Sequence, residues 1–207
     1  MGLPSTLLHA LALALAAFAL LCGAALAGIG PNPADDRRLI DRPLDDFRYD
    51  RATKCKKGTP PGTKAMIGWL GRHTDGTFWG SYRCEKWSKG SYSVHSESRA
   101  IDWAMDARDR SMKRQAMRLI RDRLLARDRR GNDNALARRM GVQGIIYDCR
   151  AWFSGDGGMG RYSVCFNDNG KRIKNVDPTA AHIDHIHIEL NDPGARKKTS
   201  FWRSKLR

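Results

Sequence analysis

The sequence lacks several motifs that would place it in a common class. The chain contains no Cys-x-x-Cys pair, which argues against a zinc site built from four cysteines. Its glycine-rich stretch, residues 154–160, is not followed by Gly-Lys-Ser/Thr, which excludes a phosphate-binding loop of that type. No internal repeats occur. At 207 residues the chain suits one domain with a substantial core.

The first 27 residues have the features of a secretory signal peptide. Residues 7–21 are almost wholly apolar but short for a membrane span, and residues 25–27 give the small-x-small pattern that signal peptidase recognises. A lipoprotein signal at Cys22 is disfavoured by the bulky Leu20 and Leu21 before it. We therefore expect cleavage after Ala27, a secreted or cell-wall location, and no stable membrane insertion afterwards.

The mature chain is strongly basic. The whole sequence has 37 Lys and Arg against 22 Asp and Glu, a formal net charge of +15, and none of these residues lies in the first 27 positions. Such a charge favours anionic partners, among them anionic cell-wall polymers, lipid headgroups and nucleic acid. A surface charge that serves only solubility is the alternative, and composition does not choose between them.

The cysteine count fits an oxidising compartment. With Cys22 removed with the signal segment, an even number remains at positions 55, 84, 149 and 165. Of the three connectivities, we favour Cys55–Cys84 and Cys149–Cys165 because each pair brackets a compact, turn-rich stretch. The mature protein should then contain no free thiol.

Hydrophobic patterning divides the mature chain into an arm and a domain. Residues 28–51 are rich in Pro, Asp and Arg and predict an extended arm or linker, whereas residues 52–207 predict one α+β domain ending in a basic tail. Helical spacing and stop signals predict helices over 63–70, 109–129 and 135–140. The first should be capped by Thr63 and end at Gly71, and the last should end at Gly141. Aromatic and β-branched runs predict strands over 77–82, 91–95, 143–153 and 181–190.

Two short stretches carry most of the histidines outside the signal segment. Residues 93–102 (SVHSESRAID) contain His95 and Asp102, and residues 182–190 (HIDHIHIEL) contain His182, His185 and His187. In a strand, the period of two places His185, His187 and Glu189 on one face, with Ile186, Ile188 and Leu190 towards the core. Imidazoles and a carboxylate from separate elements are suitable ligands for zinc. The alternative for each residue alone is a hydrogen-bonded structural histidine or a helix-capping aspartate.

Residues 93–102 resemble the Ser-x-His-x-x-Gly-x-Ala-x-Asp signature of zinc D-Ala-D-Ala peptidases of the LAS group, and residues 182–187 are similar to the closing His-x-x-His-x-His of its murein endopeptidase branch. The order of elements is similar to that of secreted actinobacterial members. The resemblance implies zinc ligation by His95, Asp102 and His187, with His185 as catalytic base or transition-state stabiliser and His182 as an auxiliary site residue. Ser98 stands where that pattern has glycine, and the Glu-x-x-His of the carboxypeptidase branch is absent.

The resemblance implies that the substrate is the peptide part of peptidoglycan. The fold we expect is a small antiparallel sheet with His95 and His187 at its centre and helices packed on the opposite face. An arginine or tyrosine usually completes such a site, and Arg72, Arg83, Arg99 and Tyr147 all remain candidates. The competing functions are a non-catalytic wall-binding domain and a secreted metal-dependent nuclease, for which the basic charge would suit a phosphate backbone.

Overall fold

A computed structural model describes residues 32–204, so the expected signal peptide, Cys22 and the last three residues of the tail lie outside the described part. The α-helices are Arg37–Ile40 (α1), Pro61–His73 (α2), Arg110–Met117 (α3), Ala135–Met140 (α4), Asp192–Ala195 (α5) and Ser200–Arg203 (α6). A π-helical segment, Arg118–Leu124, continues α3, and 3₁₀ turns occur at Pro33–Asp35, Val94–Glu97 and Ser163–Cys165. No helix within residues 32–204 is long and apolar enough to cross a membrane.

The strands form an antiparallel sheet and a separate hairpin. They are Thr77–Gly80 (β1), Lys86–Ser88 (β2), Ser91–Tyr92 (β3), Ala100–Ala104 (β4), Val142–Tyr147 (β5), Arg150–Phe153 (β6), Gly160–Arg161 (β7) and His185–Leu190 (β8). The six-stranded sheet has the order β1-β4-β8-β5-β6-β7, and β2 pairs with β3 in the hairpin. The predicted α+β class with an antiparallel sheet is therefore confirmed, and β8 is an interior strand between β4 and β5.

Strand β8 has the predicted alternation. Ile186, Ile188 and Leu190 are fully buried in the main core, and the polar residues between them face the other side of the sheet. The strand begins at His185 rather than at residue 181, because the backbone at His182 has a φ of 53° and closes a turn there.

The predicted strand over 143–153 is in fact a hairpin of β5 and β6. Its two-residue connection, Asp148 and Cys149, has φ values of 47° and 61°, which is the backbone conformation that two-residue hairpin turns use. Neither residue is glycine, and β-branched and aromatic residues occur on both sides of the turn, so the sequence pattern does not reveal it.

The helices depart from their predicted ends for local reasons. The long predicted helix is α3 and its π-helical continuation, which together end at Leu124; Asp109 caps α3 by accepting hydrogen bonds from the backbone of the next turn. Helix α2 begins at Pro61, a favourable first helical residue, so Thr63 is buried inside it and Gly71 does not end it. Helix α4 ends at Gly141, with a φ of 75°, as predicted.

The described part of the segment predicted to be an extended arm is folded against the domain. Ala34 and Leu39 are fully buried in the main core, and the ring of Phe47 lies 5.8 Å from that of Trp152. The few apolar residues of this segment are therefore used for packing, which its high content of charge and proline conceals.

Both predicted disulfides are present. Cys55 and Cys84 are linked with their Cα atoms 5.3 Å apart, and Cys149 and Cys165 with theirs 5.6 Å apart. The first bond fastens the segment before α2 to the loop before β2. The second fastens the β5–β6 turn to the 3₁₀ turn at Ser163–Cys165, which stabilises one wall of the cleft described below.

Candidate metal centre

The three predicted metal ligands converge from three separate elements. His95 lies in the 3₁₀ turn Val94–Glu97 and not in a strand as predicted, because Ser93 accepts a hydrogen bond from the backbone of His95 and starts the turn. Asp102 lies in the middle of β4, where it is the direct cross-strand neighbour of His187 on β8. His187 is thus at the centre of the sheet as predicted, while His95 approaches it from the turn just before β4.

The donor atoms of these residues form a nearly equilateral triangle. His95 Nε2 lies 3.1 Å from Asp102 Oδ1 and 3.1 Å from His187 Nδ1, and the last two atoms are also 3.1 Å apart. Ligand atoms at tetrahedral angles around zinc, with bonds near 2.1 Å, lie about 3.4 Å from one another. The side chains are only 1%, 6% and 7% exposed for His95, Asp102 and His187. This buried group can hold a metal ion.

Asp102 is held as an anion by its neighbours. Burial acts to raise the pKa of this carboxyl, but hydrogen bonds from His185, His187 and His95 outweigh burial and hold the pKa far below its usual range. The Arg83 guanidinium donates to the other carboxylate oxygen, Oδ2, at 2.5 Å. Oδ1 therefore remains directed at the two imidazoles, as a ligand oxygen should be.

His187 is oriented by a buried carboxylate. Its Nε2 lies 3.1 Å from Glu189 Oε1, and Tyr49 donates its hydroxyl to Glu189 Oε2 at 2.7 Å. Burial alone would lower the pKa of His187, but the hydrogen bonds to Asp102 and Glu189 raise it to about 9. The raised pKa means that, without a metal, both ring nitrogens carry a proton at neutral pH. Glu189 holds the proton on Nε2, and a metal would displace the one on Nδ1, the nitrogen that faces the triangle.

The Glu189 carboxylate fits only because a glycine lies opposite it. A Cβ atom on Gly144 of β5, its cross-strand partner, would lie 2.8 Å from Glu189 Oε2. The strand alternation predicts Glu189 on the face of His185 and His187, and Glu189 is buried there beside His187. Tyr49 was not predicted, since 140 positions separate it from Glu189 and nothing in the local sequence marks it.

His185 lies beside the triangle with one nitrogen facing it. Its Nε2 is 3.5 Å from Asp102 Oδ1, and its Nδ1 is 2.7 Å from Asp184 Oδ1. Asp184 is fixed in turn by the hydroxyl of Thr179, which donates to Oδ2 at 2.7 Å. Asp184 therefore holds the proton on Nδ1, and Nε2 is the nitrogen that faces the site.

His182 packs against the other two histidines of its strand region. Its ring centroid lies 4.7 Å from that of His185 and 5.4 Å from that of His187, and the edge of Tyr162 covers it at 5.3 Å. Burial, with the nearby charges of His187 and His185, lowers the pKa of His182 to about 3. His182 is therefore neutral at physiological pH, and its buried Nδ1 has no hydrogen-bond partner among residues 32–204.

These side chains line an open cleft of about 790 Å³. All four histidines of the two motifs contribute to its wall, together with Arg83, Glu189 and Tyr162. Among the four candidates for a completing residue, Arg83 is the one in this wall. Arg99 is buried and donates to the Leu190 carbonyl and to Glu97, while Arg72 and Tyr147 do not line the cleft.

Comparison with known proteins gives no assignment. No family model matches the chain, and neither a curated protein nor a solved structure matches it. What the site does must therefore be argued from its own residues.

Proposed function

We propose that this protein is a secreted zinc-dependent peptidase that cleaves an amide bond in the stem or cross-link peptides of peptidoglycan. The observation that carries the proposal is the buried triangle of two imidazole nitrogens and one carboxylate oxygen beside an open cleft. The resemblance of residues 93–102 and 182–187 to LAS-group peptidases supports the substrate class. The expected signal peptide and the net charge of +15 agree with action at an anionic cell wall.

The metal would be held by His95 Nε2, Asp102 Oδ1 and His187 Nδ1. Two histidines and one carboxylate are a ligand set of catalytic zinc, in which the fourth position belongs to water. When bound there, zinc lowers the pKa of water to roughly 7 and polarises a carbonyl group. Glu189 and Tyr49 hold the His187 ring in the orientation that this ligand set requires.

Proton transfer falls to His185. Since Asp184 holds the Nδ1 proton, Nε2 is the nitrogen placed to accept the proton of an attacking water and then to donate it to the departing amine. His182, neutral and packed on His185, restricts the ring without competing for that proton. The half-exposed Arg83 gives the cleft wall a positive charge suited to a peptide carboxylate or a developing oxyanion.

The order of elements after the site disfavours the nuclease. Metal-dependent nucleases of the ββα type continue from the strand into a helix with a metal-binding His or Asn. Here β8 leads through Asn191 into the four-residue helix α5, whose sequence Asp-Pro-Gly-Ala contains neither.

The test is a comparison of wall, peptide and DNA substrates, each with and without a chelator. We expect purified wild-type protein to clear murein in a zymogram, to lose this activity to a chelator, and to regain it with zinc. His95→Ala should be inactive. His73→Ala, a histidine on α2 that stacks on Trp69 outside the cleft, is the matched control and should stay active. Chelator-sensitive DNA cleavage without murein cleavage would identify a nuclease, and murein binding without cleavage a wall-binding domain.

A further inference from the structure

An aromatic cavity of about 520 Å³ adjoins the proposed active cleft. Tyr49, Trp87, Tyr92 and Phe153 line it, with Arg51 at its side. Tyr49, Trp87 and Phe153 also line the cleft that contains the histidines, so the two spaces adjoin along these three side chains. A ligand that enters the cleft can therefore extend into the aromatic cavity.

The aromatic residues of this cavity are exposed or partly buried: Tyr49 and Trp87 are exposed, and Tyr92 and Phe153 are partly buried. Trp87, on strand β2 of the hairpin, is 69% exposed, and Tyr92 follows on β3. Tyr49 and Phe153 meet edge to face at 5.9 Å and form the opposite side. A tryptophan is rarely left so exposed without a contact to make, since its ring is the largest apolar surface a side chain offers.

We propose that this cavity binds one sugar ring of the glycan strand while the attached peptide lies in the cleft; the identity of the sugar rests on the proposed function. A hexopyranose presents a face of C–H groups that packs on an aromatic ring, and its hydroxyl groups point outward from the ring edge. The cavity has matching features: four aromatic side chains in its lining, with Arg51 and Ser91 as polar residues beside them. A peptide in the same place would press amide N–H and C=O groups against ring faces that cannot pair with them.

Tyr49 connects the two subsites. Its ring lines the aromatic cavity, and its hydroxyl donates to Glu189, the residue that orients His187. A sugar packed on this ring is thus separated from a metal ligand by two side chains. The arrangement predicts that the enzyme acts on peptides that are still attached to glycan.

The experiment compares two substrates that differ only in the sugar: a disaccharide-peptide and the same peptide without sugar. Trp87→Ala should raise KM for the disaccharide-peptide by about 3- to 10-fold, the effect of losing one ring contact. KM for the free peptide should rise by clearly less, because only the disaccharide-peptide loses a sugar contact, and Trp87→Phe should restore most of the loss. Phe78→Ala is the control, because Phe78 is a 45% exposed aromatic on β1 outside both cavities.

Direct binding separates this inference from the proposed function. A peptide-free glycan oligosaccharide should shift the indole N–H signal of Trp87 in zinc-free protein, and Trp87→Ala should abolish binding while Phe78→Ala retains it. If the oligosaccharide binds in this way and neither peptide is cleaved, the sugar subsite stands and the peptidase proposal falls. If the peptides are cleaved and Trp87→Ala changes KM equally for both substrates, or for neither, the sugar subsite is refuted. Equal binding of the oligosaccharide to Trp87→Ala and to the wild-type protein would also refute it.

Discussion

His185 and His187 lie two residues apart on one face of β8, yet the structure gives them different partners. His187 contributes Nδ1 to the triangle and is held from behind by Glu189, whereas His185 is held by Asp184 and lies 3.5 Å from Asp102. Replacing each by alanine should therefore separate metal binding from proton transfer. The two variants have the same change in volume on the same strand, so each is the control of the other.

The expected magnitudes follow from these contacts. His187→Ala removes one of three donors and leaves the buried Glu189 without its imidazole partner. Loss of an outer partner of a metal ligand costs about 10- to 100-fold in affinity, so loss of the ligand itself should cost more than about 100-fold. His185→Ala leaves the triangle intact and should bind close to one zinc per chain, but its turnover should fall by roughly 10²- to 10⁴-fold.

The assay measures zinc content by elemental analysis, zinc affinity by competition with a chromogenic chelator, and turnover with a murein peptide. Equal loss of zinc in both variants would show that both histidines are ligands and would refute this division of roles. Unchanged turnover in both variants would mean that His185 and His187 are ordinary structural residues of the strand.

Three further predictions test the surroundings of the site. Glu189→Gln should weaken zinc binding by about 10- to 100-fold, and Tyr49→Phe should also weaken it, while the circular dichroism spectrum of both variants stays unchanged. An unchanged zinc affinity would mean that neither residue orients His187. Denatured, unreduced mature protein should yield no free thiol on titration, and two or more thiols would contradict the two disulfides. Leu39→Ala should lower the free energy of unfolding, measured by urea titration, by about 2–5 kcal/mol. The control Val164→Ala, at an exposed residue, should lower it by about 0.5 kcal/mol or less. Equal effects of the two variants would mean that the N-terminal segment does not pack on the core.

The parts of the site that could be predicted from sequence are those encoded by short spacings. Alternation over residues 185–190 was enough to place His187 towards the site and its isoleucine neighbours in the core, and Gly141 was enough to end α4. The structure adds that Asp102 is a strand residue rather than a helix cap, because β4 pairs with β8 over its whole length.

The rest depends on contacts between distant segments or on turns without a sequence signal. The run from Ser91 to His95 predicts a strand because it contains Tyr92 and Val94, but Ser93 caps a 3₁₀ turn there instead. The connection at Asp148 and Cys149 contains no glycine, so the hairpin was read as one strand. Tyr49 reaches Glu189 only because the N-terminal segment folds back onto the sheet, which no local pattern encodes.

Because Asp102 pairs directly with His187, binding of a metal by these residues would depend on the register between β4 and β8. The side chains of β8 alternate, so a slip of one residue against β4 would turn His187 into the core and bring Ile186 or Ile188 to the cleft. Such a misaligned chain has no triangle and cannot bind the ion. Zinc would then stabilise only the correctly paired sheet, by RT ln(1 + [Zn]/Kd), about 4 kcal/mol when free zinc is a thousand times Kd. Ion concentration during folding would thus select one alignment of the central strands over all others.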